Sequence, residues 1–127
     1  MRPARQTATH RRQRAQRRGR FAEWLCVWQL RLRGWHILAR GWRCPSGEID
    51  ILARRGRVLA IIEVKSRNQL DAAASALLPR QRRRIARAAE AFLLSRPDLA
   101  RLEPRFDLML VAPLRVPRHW PGAWRAD

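Results

Sequence analysis

Residues 47–66 read GEIDILARRGRVLAIIEVKS, and this stretch decides the fold that the sequence predicts. It contains two strand-like runs, residues 48–54 and 57–66, joined by a tight turn at Arg55-Gly56. Both runs have apolar residues on both faces, which is typical of strands in the middle of a sheet that is covered on each side. We therefore predict an antiparallel hairpin at the centre of an α/β domain.

Charged residues interrupt these two apolar strands at regular positions. Glu48 and Asp50 are two residues apart on the first strand, and Glu63 and Lys65 are two residues apart on the second, so each pair points to one face. In one register of the hairpin Glu48 lies opposite Glu63. In the register shifted by two residues, Asp50 lies opposite Glu63 instead. All four side chains share a face in either register, whereas a slip of one residue would separate them.

Carboxylates gathered on buried strands indicate a cation site, because burial and mutual repulsion oppose their ionised forms unless a cation lies between them. Mg²⁺ or Mn²⁺ takes oxygen ligands and usually keeps water and substrate phosphate as further ligands. Such a metal activates water and offsets charge on a phosphodiester. Lys65 suits the orientation of water or the neutralisation of developing charge, because lysine is compact and its pKa shifts readily. The alternative is that these acids only pair with arginines.

Helices and further strands surround the hairpin. A helix over residues 19–33 ends at Gly34, a first strand covers 35–43, a second helix begins at Pro79, and a last strand covers 105–112. The first helix is predicted to bury a stripe made of Phe21, Trp24, Leu25, Trp28 and Leu32. The second is predicted to bury Ile85, Ala88, Ala89, Phe92 and Leu93. We interpret Trp24 and Trp28 as core residues rather than as platforms for base stacking.

The order α-β-β-β-α-β predicts a small α/β domain with a mixed sheet over residues 19–112. Residues 1–18 are interpreted as a disordered basic arm, and residues 68–78 as a polar link with an Ala-rich stretch that is a candidate helix. Residues 113–127, which contain prolines and tryptophans, are predicted to be an extended tail packed on the surface.

The charge of the chain predicts a polyanionic partner. The 127 residues carry a formal net charge of +18, and 27 of the 28 basic residues are arginine, the exception being Lys65. Nucleic acid, DNA above all, is the simplest such partner, and an anionic membrane surface also fits. The expected phosphate contacts are Arg67, Arg80, Arg83, Arg84 and Arg87. The alternative for the arginines of the second helix is a solvated face, which the scarcity of balancing acids argues against.

Composition also excludes several classes of protein. A hydrophobic fraction of 46% excludes a wholly disordered polybasic chain. Cys26 and Cys44 are too few for a disulfide framework and indicate reduced thiols in a cytoplasmic protein. The histidines lack metal-ligand spacing. Apolar stretches are far shorter than the ~20 residues of a membrane-spanning helix, so no segment is expected to cross a membrane, and nucleic acid is expected as the partner in preference to a membrane.

The motifs resemble those of a known family. Residues 47–53 (GEIDILA) followed by residues 62–67 (IEVKSR) resemble the YraN-like family of small bacterial proteins. The similarity extends through Gly19, Glu23, the segment Gly34–Leu38, Pro79-Arg80-Gln81 with its Ala-rich helix, and Arg105-Phe106-Asp107. It spans about residues 18–112. That family is similar to the restriction-endonuclease-like nucleases with the PD-(D/E)xK pattern, which include Holliday-junction resolvases.

The resemblance implies a restriction-endonuclease-like mixed sheet flanked by helices and assigns roles to individual residues. Asp50 and Glu63 would be metal ligands and Lys65 the catalytic lysine. Glu23 matches the extra acid that resolvase-like members place near the metal, and Gln81 matches a polar helix position that supports the site. Resolvases of this fold act as dimers, which makes a homodimer one expectation. Ile49, rather than the proline of the pattern's name, precedes Asp50.

Two further acids have less defined roles. Glu48 is interpreted as a supporting residue, with a third metal ligand and an ion pair to an arginine as its alternatives. Asp107 is interpreted as structural, paired with Arg105. Three functions remain: a Mg²⁺- or Mn²⁺-dependent endonuclease acting on DNA, with branched and flapped structures as candidate substrates; a non-catalytic nucleic-acid-binding protein on a nuclease fold; and a basic accessory protein bound to RNA or to a larger assembly. The set Asp50, Glu63 and Lys65 favours the first.

Overall fold

A computed structural model of the chain describes residues 19–66 and 78–126. Helix α1 covers residues 19–32 and is followed by strands β1 (His36–Cys44), β2 (Gly47–Arg55) and β3 (Val58–Ser66). Helix α2 (Pro79–Ser95), a short 3₁₀ helix (Pro97–Leu99), β4 (Glu103–Val111) and β5 (Arg118–Trp124) complete the chain. The predicted basic arm, Arg67 and the Ala-rich link as far as residue 77 lie outside the described residues.

The five strands form one mixed sheet in the order β1-β2-β3-β4-β5. Strands β3 and β4 are parallel, and every other neighbouring pair is antiparallel. The parallel pair is connected through α2, because parallel neighbours need a long crossover and a helix commonly supplies it. The predicted α/β class with a mixed sheet flanked by helices is therefore confirmed.

The two helices cover opposite faces of the sheet and create two apolar cores. Under α1, Cys26, Val27 and Leu30 pack with Ile51 and Ile62. The core under α2 contains the predicted helix residues Ile85, Ala88, Ala89 and Phe92, together with Ile49, Leu52, Leu59 and Ile61 from the strands. Both faces of β2 and β3 are thus covered, as their double-sided apolar pattern indicated.

The predicted buried stripe of α1 is wrong. The helix buries the small residues Ala22 and Cys26 together with Val27 and Leu30. The larger residues of the predicted stripe are exposed, to 61% for Phe21, 46% for Trp24, 47% for Trp28 and 83% for Leu32. Both sets recur at three- and four-residue steps, so periodicity alone does not choose between them.

The C-terminal segment contains a strand where only an extended tail was predicted. Strand β5 pairs with β4, and the Trp124 ring stacks on Phe106 with ring centroids 4.2 Å apart. Two prolines lie close to or within this segment, Pro117 and Pro121, which argued against a strand. They are tolerated because β5 is at the edge of the sheet.

The central hairpin turns one residue later than predicted. Arg55 pairs with Val58, which leaves Gly56 and Arg57 as a two-residue loop. Gly56 has a φ of +60°, a conformation that two-residue hairpin loops require and that glycine adopts without strain. Among the residues that the structure describes, no helix is long and apolar enough to cross a membrane.

Candidate metal and nucleic-acid site

The hairpin register brings Asp50 and Glu63 together. Strands β2 and β3 pair from Arg55–Val58 to Ile51–Ile62, so Asp50 and Glu63 are the next residues on the two strands. This is the second of the two predicted registers. Beyond this point β2 continues along β1 and β3 continues along β4. The two strands therefore separate at the carboxylates, and their backbones leave space for these side chains.

Strand β2 is irregular at Asp50. Ile49 packs in the core under α2, whereas Ile51, two residues later, packs in the core under α1. In a regular strand such residues share a face, so the chain twists at Asp50. The Asp50 carboxylate accepts a hydrogen bond from the backbone N–H of Val64 on β3, at 2.8 Å between N and Oδ2. It therefore bridges the gap between the separating strands.

Glu63 and Lys65 complete this cluster from β3. The Glu63 carboxyl shares a hydrogen bond with Asp50, and the Lys65 Nζ lies 3.6 Å from Glu63 Oε1. The side chains of Glu63 and Lys65 are 17% and 18% exposed, so the ion pair is largely shielded from water but open on one side. The structure thus brings the three predicted residues Asp50, Glu63 and Lys65 into one contact network.

An open cleft of about 670 Å³ lies beside Asp50. Three acids contribute to its walls, Asp50 from β2, Glu48 from the start of β2 and Glu23 from α1. The remaining lining residues are Gly19, Arg20, Arg40, Gly41, Arg43 and Val64. The cleft therefore combines carboxylates with guanidinium groups, the groups that bind a cation and a phosphate respectively.

The pKa values of the acids reflect this crowding. Burial raises the pKa of Glu63 to about 8, the negative charge of Asp50 adds to the rise, and Lys65 opposes it. Burial also raises the pKa of Asp50, against the opposing hydrogen bond from Val64. The pKa of Glu23 rises to about 7, through burial first and the charge of Asp50 second. A cation among these acids would offset both the burial of their charges and the repulsion between them.

The stability of the metal-free protein is expected to fall as the pH rises from about 5 to about 8. The pKa of Glu63 is about 8 in the folded chain against an ordinary 4.5, so the folded state binds the proton more tightly than the unfolded state. The protonated Glu63 stabilises the folded state fully at pH values below the pKa of the unfolded chain. This stabilisation is lost as the pH rises through the pKa of the folded chain, which lowers the free energy of unfolding by roughly 2–4 kcal/mol. Urea unfolding in EDTA across this range measures it.

Glu63→Gln is expected to flatten that pH dependence and to raise stability at pH 8. The matched control is Glu90→Gln, which changes an exposed acid on α2. A wild-type free energy of unfolding that is constant or increases between pH 5 and 8 would contradict the explanation.

The donor set fits a hard divalent cation that keeps water or substrate ligands. Asp50 and Glu63 offer oxygen ligands, and one or two carboxylates with water and phosphate suffice for Mg²⁺. Within residues 19–66 and 78–126, no group of three or more His, Cys, Asp or Glu side chains is placed to hold a metal ion. Asp50 and Glu63 would therefore share the cation with non-protein ligands.

The two remaining acids discussed above, Glu48 and Asp107, and the predicted supporting residue Gln81 have distinct positions. Glu48 forms an ion pair with Arg43, at 3.4 Å between Oε1 and Nε, while it lines the cleft. Asp107 is fully buried and accepts a two-pronged hydrogen bond from Arg105, which supports its structural interpretation. Gln81 is exposed at the start of α2, where its Oε1 accepts a hydrogen bond from the backbone N–H of Leu78 at 3.4 Å. Its observed contact is thus with the helix end.

The arginines of helix α2 that are predicted to contact phosphates lie near the end of the sheet where β2 begins. The side chains of Arg80, Arg83, Arg84 and Arg87 are exposed. A Cβ added at Gly47 would lie 3.2 Å from the carbonyl oxygen of Arg84, so the helix packs directly on the start of β2. A side chain at position 47 would need the helix backbone to shift by a few tenths of an ångström, and this close packing holds the arginines near the residues that precede Asp50.

Three arginines that the sequence did not indicate also line the cleft, namely Arg20, Arg40 and Arg43. Arg40 and Arg20 oppose the rise of the Glu23 pKa, which shows that their charges act on the cleft. Arg40 is on β1 opposite Ile51, after an irregularity between Ile37 and Ala39 that shifts the register. No local pattern indicates such a shift, so the sequence offered no signal for Arg40 and Arg43 on this strand.

The sheet order, the two covering helices and the acidic cluster beside a lysine define an α/β protein with a restriction-endonuclease-like order of elements. The chain belongs to the Uncharacterised protein family UPF0102, the YraN family, whose model matches residues 22–111. This confirms the family resemblance that the motifs indicated.

Curated relatives cover most of the chain. It is 55% identical over 119 residues to a UPF0102 protein of Paramagnetospirillum magneticum, which covers 91% of this chain and 92% of the relative. A UPF0102 protein of Parvibaculum lavamentivorans is 53% identical over 111 residues, covering 87% and 84%. One from Rhodopseudomonas palustris (strain BisB5) is 54% identical over 98 residues, covering 77% and 75%.

Proposed function

We propose that this protein is a Mg²⁺- or Mn²⁺-dependent endonuclease that hydrolyses phosphodiester bonds in DNA. The observation that carries the proposal is the contact network of Asp50, Glu63 and Lys65 at the point where β2 and β3 separate. Asp50 and Glu63 are partly buried carboxylates with raised pKa values, so their charged forms are destabilised, and a divalent cation would stabilise them. A purely structural ion pair would not require the second acid.

The roles of the chain's own residues follow from their positions. Asp50 and Glu63 would hold the cation, which supplies Lewis-acid chemistry and an activated water when bound. The Lys65 ammonium, next to Glu63, is placed to orient water or to neutralise charge on the phosphodiester. Glu23 and Glu48 line the neighbouring cleft and would accept hydrogen bonds from water, including water bound to the cation.

The basic surface supports a nucleic-acid substrate. The net charge is +18, and α2 presents exposed arginines near the start of β2. Guanidinium groups bind phosphates with two parallel hydrogen bonds, which suits recognition of a backbone rather than of base sequence. Branched and flapped DNA are the substrates to test first, because resolvase-like nucleases act on such structures.

A cleavage assay tests the proposal. Purified protein is incubated with Mg²⁺ or Mn²⁺ and with linear, flapped and four-way DNA, and the products are separated on denaturing gels. Metal-dependent cleavage that EDTA abolishes supports the proposal. Cleavage that persists unchanged in Asp50→Asn and Lys65→Ala protein would assign the activity to a contaminant.

Binding by the arginines of α2 is expected to depend steeply on salt. Arg83→Ala/Arg87→Ala should reduce the slope of log K against log salt by roughly one unit per arginine that contacts a phosphate. The double variant should weaken binding equally across DNA sequences, because phosphate contacts carry no base information. Fluorescence anisotropy over a salt series measures both effects. Arg101→Ala, at the opposite end of the sheet, is the control, and an unchanged slope in the double variant would place the phosphates elsewhere.

A second candidate function is nucleic-acid binding without catalysis on the same fold. It is favoured by one observation, that in the described part of the chain no third carboxylate joins Asp50 and Glu63 in a metal-binding group. DNA binding without cleavage, across metals and substrates, would support this candidate over the endonuclease.

A further inference from the structure

Helix α1 presents an unusual aromatic surface to solvent. Phe21, Trp24 and Trp28 are each about half exposed or more, although large aromatic side chains dominate buried cores elsewhere in proteins. The Phe21 and Trp24 rings are stacked with centroids 6.1 Å apart, and Trp24 meets Trp28 edge-on at 6.2 Å. We call these three residues the aromatic stripe. Contiguous exposed apolar surface of this kind marks an interaction site.

Arginines accompany the aromatic stripe. The Arg31 guanidinium lies over the Trp28 ring, 5.7 Å from its centroid, and Arg20 follows the same helix toward the cleft. Aromatic faces interleaved with guanidinium groups are how proteins bind single-stranded nucleic acid, since bases stack on the rings while the arginines meet the phosphates. A second copy of this strongly basic chain would instead bring like charges together.

The aromatic stripe is continuous with the candidate site. Around an α-helix each residue advances by ~100°, so Arg20 lies about 60° from Glu23, and Trp24 a further 40° or so beyond Arg20. Glu23 and Arg20 both line the cleft that contains Asp50. A nucleic-acid strand that leaves the cleft past Arg20 would therefore reach Trp24 first, and Phe21 and Trp28 next.

We propose that the aromatic stripe binds unpaired bases of the substrate strand, so that this site acts on DNA with a single-stranded segment beside the scissile phosphate. The inference rests on the proposed nuclease function for its direction, but the stripe's binding of single strands is measurable without catalysis. Stacking also explains why large aromatic residues occupy the exposed face of α1 while small residues pack on the sheet.

The test compares full-length wild-type protein with Trp24→Ala/Trp28→Ala in EDTA, by fluorescence anisotropy of a labelled oligothymidylate and of a duplex of equal length. The double variant should bind the oligothymidylate roughly 10- to 100-fold more weakly, because each stacked base contributes a substantial part of the affinity. Duplex affinity and the salt slope should change little, since no phosphate contact is removed. Trp24→Phe/Trp28→Phe, which retains aromatic faces, should recover most of the loss.

Controls separate stacking from folding and from self-association. Far-UV circular dichroism checks folding, and Phe21→Ala tests the same stripe independently should the double variant not fold. Leu94→Ala removes an exposed apolar side chain from α2 and should leave both affinities unchanged. Equal oligothymidylate affinity in wild type, Phe21→Ala and the double variant overturns the proposal. So does sedimentation showing that the stripe variants only convert a dimer to a monomer with unchanged oligothymidylate affinity.

The same variants keep this inference distinct from the proposed function. If the wild-type protein cuts DNA and the stripe variants cut flapped and linear DNA in the wild-type ratio, the stripe has no role in substrate choice and the nuclease proposal stands. If no metal or substrate yields cleavage, while the stripe variants lose oligothymidylate binding, the nuclease proposal fails and the binding site stands.

Discussion

Lys65→Ala is expected to lower the rate of metal-dependent DNA cleavage by roughly 10²- to 10³-fold, the usual effect of removing one electrostatic stabiliser of a transition state. The Lys65 Nζ lies 3.6 Å from Glu63, in the cluster that Asp50 completes. Lys65→Arg retains the charge on a wider group and should recover only part of the rate. Single-turnover cleavage at saturating enzyme measures the chemical step separately from binding.

Asp50→Asn should be at least as damaging, because it removes a charged ligand and leaves Glu63 to hold the cation. Binding of DNA in EDTA should be preserved in both variants, since the arginines of α2 are unchanged. The matched control is Arg101→Ala, which removes an exposed cation far from the site and should cut at the wild-type rate. Loss of DNA binding in step with loss of cleavage would argue that Lys65 contacts phosphate only and has no part in the chemistry.

The buried network around Asp107 should produce the largest effect on stability. Asp107 has no exposed surface, and its carboxylate accepts hydrogen bonds from Arg105 at 2.9 Å and from the backbone N–H of Gly122 at 2.9 Å. His119 Nε2 lies 2.7 Å from Oδ2. Burial alone would raise the pKa of Asp107, but the hydrogen bonds from His119, Arg105 and Gly122 outweigh it and hold the pKa below its ordinary value.

Asp107→Ala is expected to lower the free energy of unfolding by roughly 3–5 kcal/mol, because it leaves a partly buried arginine and the β5 backbone without their acceptor. The chain contains a matched control in Arg96 and Asp98, which have the same spacing and the same two-pronged geometry at 2.9 and 3.0 Å. That pair is exposed, so Asp98→Ala should leave the stability nearly unchanged. Urea unfolding at neutral pH compares the two, and equal effects would show that burial of the Asp107 network contributes nothing.

The Asp107 network also shows why β5 escaped sequence-based prediction. Its stability comes from contacts between residues 103–111 and 118–124, including the Trp124–Phe106 stack, rather than from a local pattern. Prolines and a glycine in positions 117–122 indicate a coil when the segment is considered alone. The edge of β4 supplies the partner that makes the segment a strand.

The central hairpin was predictable for the opposite reason. The apolar residues on both faces of the two strands and their strand propensity are local properties of residues 47–66, and a glycine marks the turn. The same holds for α2, whose apolar stripe at Ile85, Ala88, Ala89 and Phe92 is the buried one. Local periodicity likewise revealed the set Asp50, Glu63 and Lys65, because only a few charged residues interrupt these strands.

The sequence by itself determined the α/β class, the hairpin, the family and the residues of the acidic cluster. Tertiary structure decided the hairpin register, the buried face of α1, the strand β5, and the cleft where Glu23 and Arg40 meet Asp50. The physical reason is that the spacing of apolar residues shows that an element has a buried face, but does not show which face is buried or how neighbouring strands are aligned. Close packing in the folded protein selects the buried face and the strand register. On α1 it placed the small residues against the sheet and left the aromatic stripe exposed.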